Sequence, residues 1–255
     1  MKSPSMPPVL QAVGLACVPL ADMPPGTALA RKPVAAAVIT LVARNDGHRD
    51  VVIKTMSDAR PFEWPLPALI DDALVAGAPT VITEADCDVL SVETASRRFF
   101  VEPALAALAN WEEMIDPVRM FGVGDGYDEA ALSRRLDIPV ATVTDDDVAR
   151  CWDANAPQAA ESIALANAVS RLTLWAHGAA FQRAAPDPMF ETLLPLRERL
   201  MEIEPTYPEL KAVLASRPYH WVASFAGLYR DYRARCDAGD TDARWVTFED
   251  GTSYV

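Results

Sequence analysis

Three acids stand close together in the run TEADCD: Glu84, Asp86 and Asp88. Acids near the end of a strand can hold magnesium, a hard cation that takes oxygen ligands. The same run also suits a solvated surface turn, and spacing alone does not choose between the two. A second run, FGVGDGYDEAAL, offers Gly122, Gly124 and Gly126 as G-x-G-x-G. Tyr127 stands where a dinucleotide loop needs its third glycine, and no strand–helix–strand unit opens the chain there, so it reads as an ordinary loop. No G-x-S-x-G occurs. Cys17, Cys87, Cys151 and Cys236 lie far apart, as do His48, His177 and His220, which argues against a zinc site.

Composition bounds what these residues can serve. The chain has 255 residues, 51% of them apolar, enough for a sizeable core. A net charge of −13 opposes a broad grip on phosphate backbones and favours a protein partner over nucleic acid. The basic clusters, Arg97 with Arg98, Arg134 with Arg135, and Arg230, Arg233 and Arg235, read as solvated helix faces. Scattered cysteines suit a reduced, cytoplasmic protein. The longest apolar run, from Val34 to Ala43, is too short to span a bilayer. The opening MKSPSMPPVLQAVGLACVPLA makes a poor signal peptide, with one lysine and Gln11 interrupting it, and a buried first strand is favoured.

The elements follow from pattern. Val9 to Val18 predicts a buried strand, Ala21 to Lys32 a loop, and Val34 to Arg44 with Val51 to Lys54 a hairpin around Asn45, Asp46 and Gly47. Pro65 to Gly77 predicts a helix and Pro79 to Thr83 a strand, a strand–helix–strand unit that implies parallel pairing. Helices are expected at 88–98, 103–113 and 129–136, with a short strand at 115–121. Acids at 145–147 after Thr144 mark another helix start. Pro157 to Phe181 predicts a long helix with Leu165, Val169, Leu172 and Ala176 on one face. Helices 188–204, 207–217 and 219–238 follow, the last with a stripe of Trp221, Phe225, Leu228 and Tyr232. Such a stripe is usually core. The boundary falls near Pro186, giving a domain over 1–185 and a helical extension over 186–255.

The order of these segments resembles the ribonuclease H-like 3′–5′ exonucleases, specifically predicted exonucleases similar to the proofreading domain of B-family DNA polymerases. The resemblance runs from Val9 to Phe181. AVGLACVP resembles a strand motif like F-D-I-E-T-V-P, with Gly14 and Ala16 on its two acids. VITEADCDVLSV resembles a motif ending in F-D-x-P-V-L, with Asp88 on the aspartate and Cys87 on the phenylalanine. MIDPVRMF followed by YDEAALSRRLDIP resembles an H-x-D-L-M-D segment and the helix after it. IALANAVSRLTLWA resembles Y-C-E-T-D-V-L-N-T-Y-L-L-F-L, with Ile163 on the tyrosine and Asn167 on the last aspartate.

The resemblance implies an α/β fold of ribonuclease H-like exonuclease type: a central mixed sheet flanked by helices, with a helical C-terminal extension. In the family two metal ions, about 4 Å apart, activate a water against phosphorus. Gly14, Ala16 and Ile163 cannot play those roles, and Asn167 is a neutral ligand. Asp88 is the sole surviving metal candidate. Asp22 and Glu161 are the nearest replacements, neither well placed. The expectation is a catalytically degenerate exonuclease-like protein, without a cofactor, serving as a binding or assembly component. The alternative is an active 3′–5′ exonuclease using magnesium or manganese at a relocated site around Glu84, Asp86 and Asp88. A structural subunit of a larger assembly is the third class.

Overall fold

A computed structural model describes residues 6–20, 30–44, 48–58, 66–96, 103–109, 113–122, 129–138, 144–207, 210–240, 243 and 245. Asp22, Arg97, Arg98, Gly124, Gly126 and Tyr127 lie outside the described residues, as does the Asn45–Gly47 turn.

Strand β1 is Val9–Pro19, β2 is Arg31–Ala43 and β3 is Arg49–Ser57. They pair antiparallel in sequence order. Helix α1, Leu66–Ala73, leads to the short strand β4, Thr80–Val81, which pairs parallel with β1. Helices α2, Glu84–Ser96, and α3, Pro103–Ala109, come next, then β5, Met114–Ile115, parallel to β4. The sheet order is β3-β2-β1-β4-β5. It is a mixed sheet flanked by helices.

Both faces of the sheet are covered, which is why β1 reads as a nearly continuous apolar run rather than an alternating one. Leu10, Ala12 and Ala16 point to one face; Val13, Leu15 and Cys17 point to the other, against α1, α2 and α3. Gln11, the residue that breaks the apolar run, is fully buried. Its amide donates to the Val75 carbonyl at 3.0 Å and accepts from the Val75 N–H at 2.7 Å, pairing the turn after α1. A buried amide is tolerated because both its ends are bonded.

Two strands are longer than expected. β2 begins at Arg31 rather than Val34 and carries Pro33, opposite Cys17, next to the register shift between Ala16 and Cys17. At that end β3 pairs only from Ala35 onward, so the missing proline N–H costs no ladder bond on that side. Helix α2 starts at Glu84, four residues before the expected 88, so TEADCD is the first turn of a helix and not a strand end. The expected strand at 115–121 is instead β5 followed by a 3-10 turn, Arg119–Phe121.

Helix α4 is Glu129–Arg135 and α5 is Asp145–Asp153. Thr144 caps α5 in a reciprocal box with Asp147, which accounts for the acids at its start. Helix α6 is Pro157–Arg183, with proline at its first turn. The expected stripe Leu165, Val169, Leu172 and Ala176 is buried, but so are Ser170, Arg171, Thr173 and Leu174. A single stripe was too narrow: the sheet lies on one side of α6, and helices α7, Asp187–Ile203, and α9, Arg217–Asp237, lie on another. Thr173 and Tyr219 hydroxyls meet at 3.1 Å across that second side. Helix α8 is Leu210–Leu214.

The residues from Pro186 onward pack into the same core as α6. Phe190 stacks on Tyr229, ring centroids 4.3 Å apart and planes 6° apart. On α9 the buried face is Tyr219, Val222 and Tyr229. Of the expected stripe, Trp221, Phe225 and Tyr232 are half-buried, whereas Leu228 is exposed. Among the described residues no helix is long and apolar enough to cross a membrane.

Candidate functional site

The C-terminal half of β1 has an open edge. β4 pairs only with Gln11 and Ala12, so from Val13 onward that side of the strand lacks a β neighbour among the described residues. Carbonyls two residues apart point to the same edge. Helix α6 supplies the missing donors. Asn167 donates from Nδ2 to the Leu15 carbonyl at 2.9 Å, and Arg171 from a terminal guanidinium nitrogen to the Val13 carbonyl at 2.8 Å. The two residues are one turn apart and share a helix face.

To bond the strand from there, α6 must lie close against it. Gly14 is where it does so. A Cβ on Gly14 would sit 2.2 Å from the Ala164 carbonyl oxygen and 2.4 Å from the Ala168 N–H nitrogen. Both are helix backbone and cannot swing away. Ala16, the next residue on that face, is buried in the same core. Ile163 is half-buried against it. Gly14 and Asn167 therefore meet at one strand–helix contact, and Ala16 and Ile163 pack in the core that surrounds it. That contact has no room for a carboxylate at Gly14.

Asp88 does not join them. It lies on the exposed side of α2. Asp86, two residues earlier and so about 200° round the helix, points inward and is 2% exposed. Its carboxylate accepts from Arg171 at 2.7 Å and from Arg31 at 3.3 Å. Arg31 also holds Asp145 through two guanidinium nitrogens, at 2.8 and 3.2 Å. Arg171 reaches Glu129 at 3.3 Å. Glu129, Arg171, Asp86, Arg31 and Asp145 thus form one chain of charges drawn from α4, α6, α2, β2 and α5.

Burial sets the electrostatics of this chain. It opposes the charge on Arg171, but Asp86 and Glu129 outweigh it and hold the guanidinium above its ordinary value. Burial raises Glu129 against the pull of Arg171. Burial, and then Asp86, push the Cys17 thiol up, so it stays protonated rather than reactive. Glu84 turns outward to pair with Arg119, and its N–H donates to Asp116 at 3.3 Å. Glu161, weighed above as a replacement acid, accepts from Ser57 at 2.6 Å and Thr55 at 3.4 Å over β3, away from Asp86.

The residues present do not fit a two-metal centre. Gly14 and Ala16 bring no oxygen donor, Asp86 points to the opposite side of α2 from Glu84 and Asp88, and this buried carboxylate is already neutralised by two guanidiniums. Among the described residues no group of three or more His, Cys, Asp or Glu side chains is placed to hold a metal ion. Sequence reasoning missed Arg171, Arg31, Glu129 and Asp145. Arg171 did leave a signal: it is a lone charge inside the apolar run AVSRLTLW, one turn after Asn167. Comparison with protein-family models, with curated proteins and with solved structures finds no match for this chain.

Proposed function

We propose that this chain is a ribonuclease H-like protein of the 3′–5′ exonuclease type that has given up metal-dependent hydrolysis and works as a binding or assembly component. The observation that carries this reading is the guanidinium of Arg171. It sits between the β1 edge, Asp86 and Glu129, beside the positions that align with the family's metal-binding acids. Fixed organic cations there neutralise Asp86, the inward carboxylate, while Asp88, the acid that the resemblance keeps, faces outward. The sheet order, with three antiparallel strands followed by two parallel ones, and α6 laid across β1 are in keeping with that ancestry.

The charge of −13 favours a protein partner. Four free cysteines, two of them buried, suit a reducing cytoplasmic setting. The test is a nuclease assay on the purified full chain with single-stranded DNA and RNA, in magnesium and in manganese. No degradation above a metal-free control is expected. Metal-dependent degradation that is lost in Asp88→Ala, an exposed change that leaves the core alone, would overturn the reading in favour of a relocated site.

A further inference from the structure

At the opposite end of β1 from Asp86, a cleft of about 1090 Å³ opens between the β2–β3 end, α7 and α9. Its lining holds five arginines and five carboxylates. On a chain with 36 acids and 23 lysines and arginines, such a balanced lining is less acidic than the chain as a whole. Three of the arginines are paired: Arg44 with Asp50, Arg233 with Asp187 and Asp237, and Arg49 with Glu191. The Arg49 pair is long, at 3.9 Å, on a side chain only 5% exposed. Arg183 and Arg230 also line the cleft, and among the described residues neither has a carboxylate partner.

The apolar part of the lining comes from the stacked Phe190 and Tyr229 with Leu194 and Ala226. One wall has a further property. Pro195 lies inside α7 and has no N–H, so the Glu191 carbonyl, four residues back, lacks its helical donor. Both residues line the cleft.

We infer that this cleft binds an acidic peptide segment of a partner protein, one that carries an apolar or aromatic side chain. Its carboxylates pair with Arg183 and Arg230, its apolar side chain lies along Leu194 and Ala226, and its backbone N–H groups have carboxylates and the Glu191 carbonyl to donate to. A nucleic-acid backbone fits less well: it is anionic throughout and has no backbone N–H donors to offer the carboxylates of the lining. The inference deepens the proposed function by naming the partner's chemistry and the surface that takes it.

The probe is a fluorescein-labelled peptide of alternating Glu and Phe, read by anisotropy on the full chain. Saturable binding that weakens with salt is expected, with a loss of about tenfold or more in Arg183→Glu/Arg230→Glu, as removal of charge-assisted contacts implies. Neither arginine is paired to a carboxylate among the described residues, so the double variant should melt like the parent, and a melting curve checks this. Should it unfold, Arg183→Gln/Arg230→Gln carries the same reading. No binding, equal binding of a Lys/Phe peptide, unchanged affinity in the variants, or preferential binding of a labelled oligodeoxythymidylate would each overturn the inference. No cleft residue belongs to the Asp86–Arg171 chain. Nuclease activity would therefore overturn the proposed function while the peptide result stood on its own.

Discussion

The two ends of β1 handle charge in opposite ways. At the Asp86 end, five charged groups from five elements form one network around the buried Asp86 and Arg171, and each cation has a carboxylate partner. At the other end, arginines stand around an open cleft, and Arg183 and Arg230 have no such partner among the described residues. The difference follows from solvent. A buried charge must be paired or it gives up its charge, whereas a group in reach of water can wait for a ligand. The end that holds the buried ion pairs is thus the closed one, and the end with capacity to spare lies away from it.

The sharpest way to break this comparison is to unpair the closed end. Arg171→Met should cost about 3–5 kcal/mol in chemical denaturation, because Asp86 and Glu129 lose a shared partner and the Val13 carbonyl loses its donor. Arg171→Lys should fall between, since an ammonium keeps the charge but not the fork. A loss within about 1 kcal/mol for Arg171→Met would mean that the charges are not coupled.

A buried base without a partner makes the contrast from the other side. His177, on α6 beyond Arg171, has its Nε2 buried and unbonded, and burial lowers it from 6.5 to about 4. As pH falls through 6.5 the unfolded chain takes up a proton that the folded chain refuses. The contribution of His177 to stability should therefore drop between pH 6.5 and 4 and lose no more below that, by about 3 kcal/mol in total. His177→Leu should remove this slope in paired pH-dependent melts; an unchanged difference between the two proteins across that window would refute it.

Gly14→Ala should cost about 2–3 kcal/mol, since the new methyl meets helix backbone rather than a movable side chain. A neutral result would show that α6 can stand off from β1 and that the site could reopen. The smallest effect is expected at Asp88→Asn, within about 1 kcal/mol, as at an ordinary surface position. A larger loss there would bring Asp88 back as a structural group.

Much of the fold was legible in the residues. The buried run from Val9, the hairpin strands, the cap at Thr144 and the length of α6 all depend on local pattern, and local pattern survives folding. Errors came where a non-local partner decided. Asp86 and Asp88 have the same type and neighbouring positions, and only where α2 begins, four residues earlier than expected, decides which one faces inward. On α9 three of the four stripe residues, Trp221, Phe225 and Tyr232, do pack on the core, and only Leu228 departs, with Tyr229 taking the buried contact against Phe190 and Trp245.

The candidate site divides the same way. From the residues alone it follows that Gly14, Ala16 and Ile163 cannot ligate a metal, because side-chain chemistry belongs to the residue and needs no partner. That Gly14 is a helix contact, that Asp86 is the inward acid, and that Arg171 stands between carboxylates from two other elements were decided only in three dimensions. An ion pair between residues 85 positions apart leaves no periodic trace in either segment. It exists because α2 and α6 are brought to the same open edge of β1.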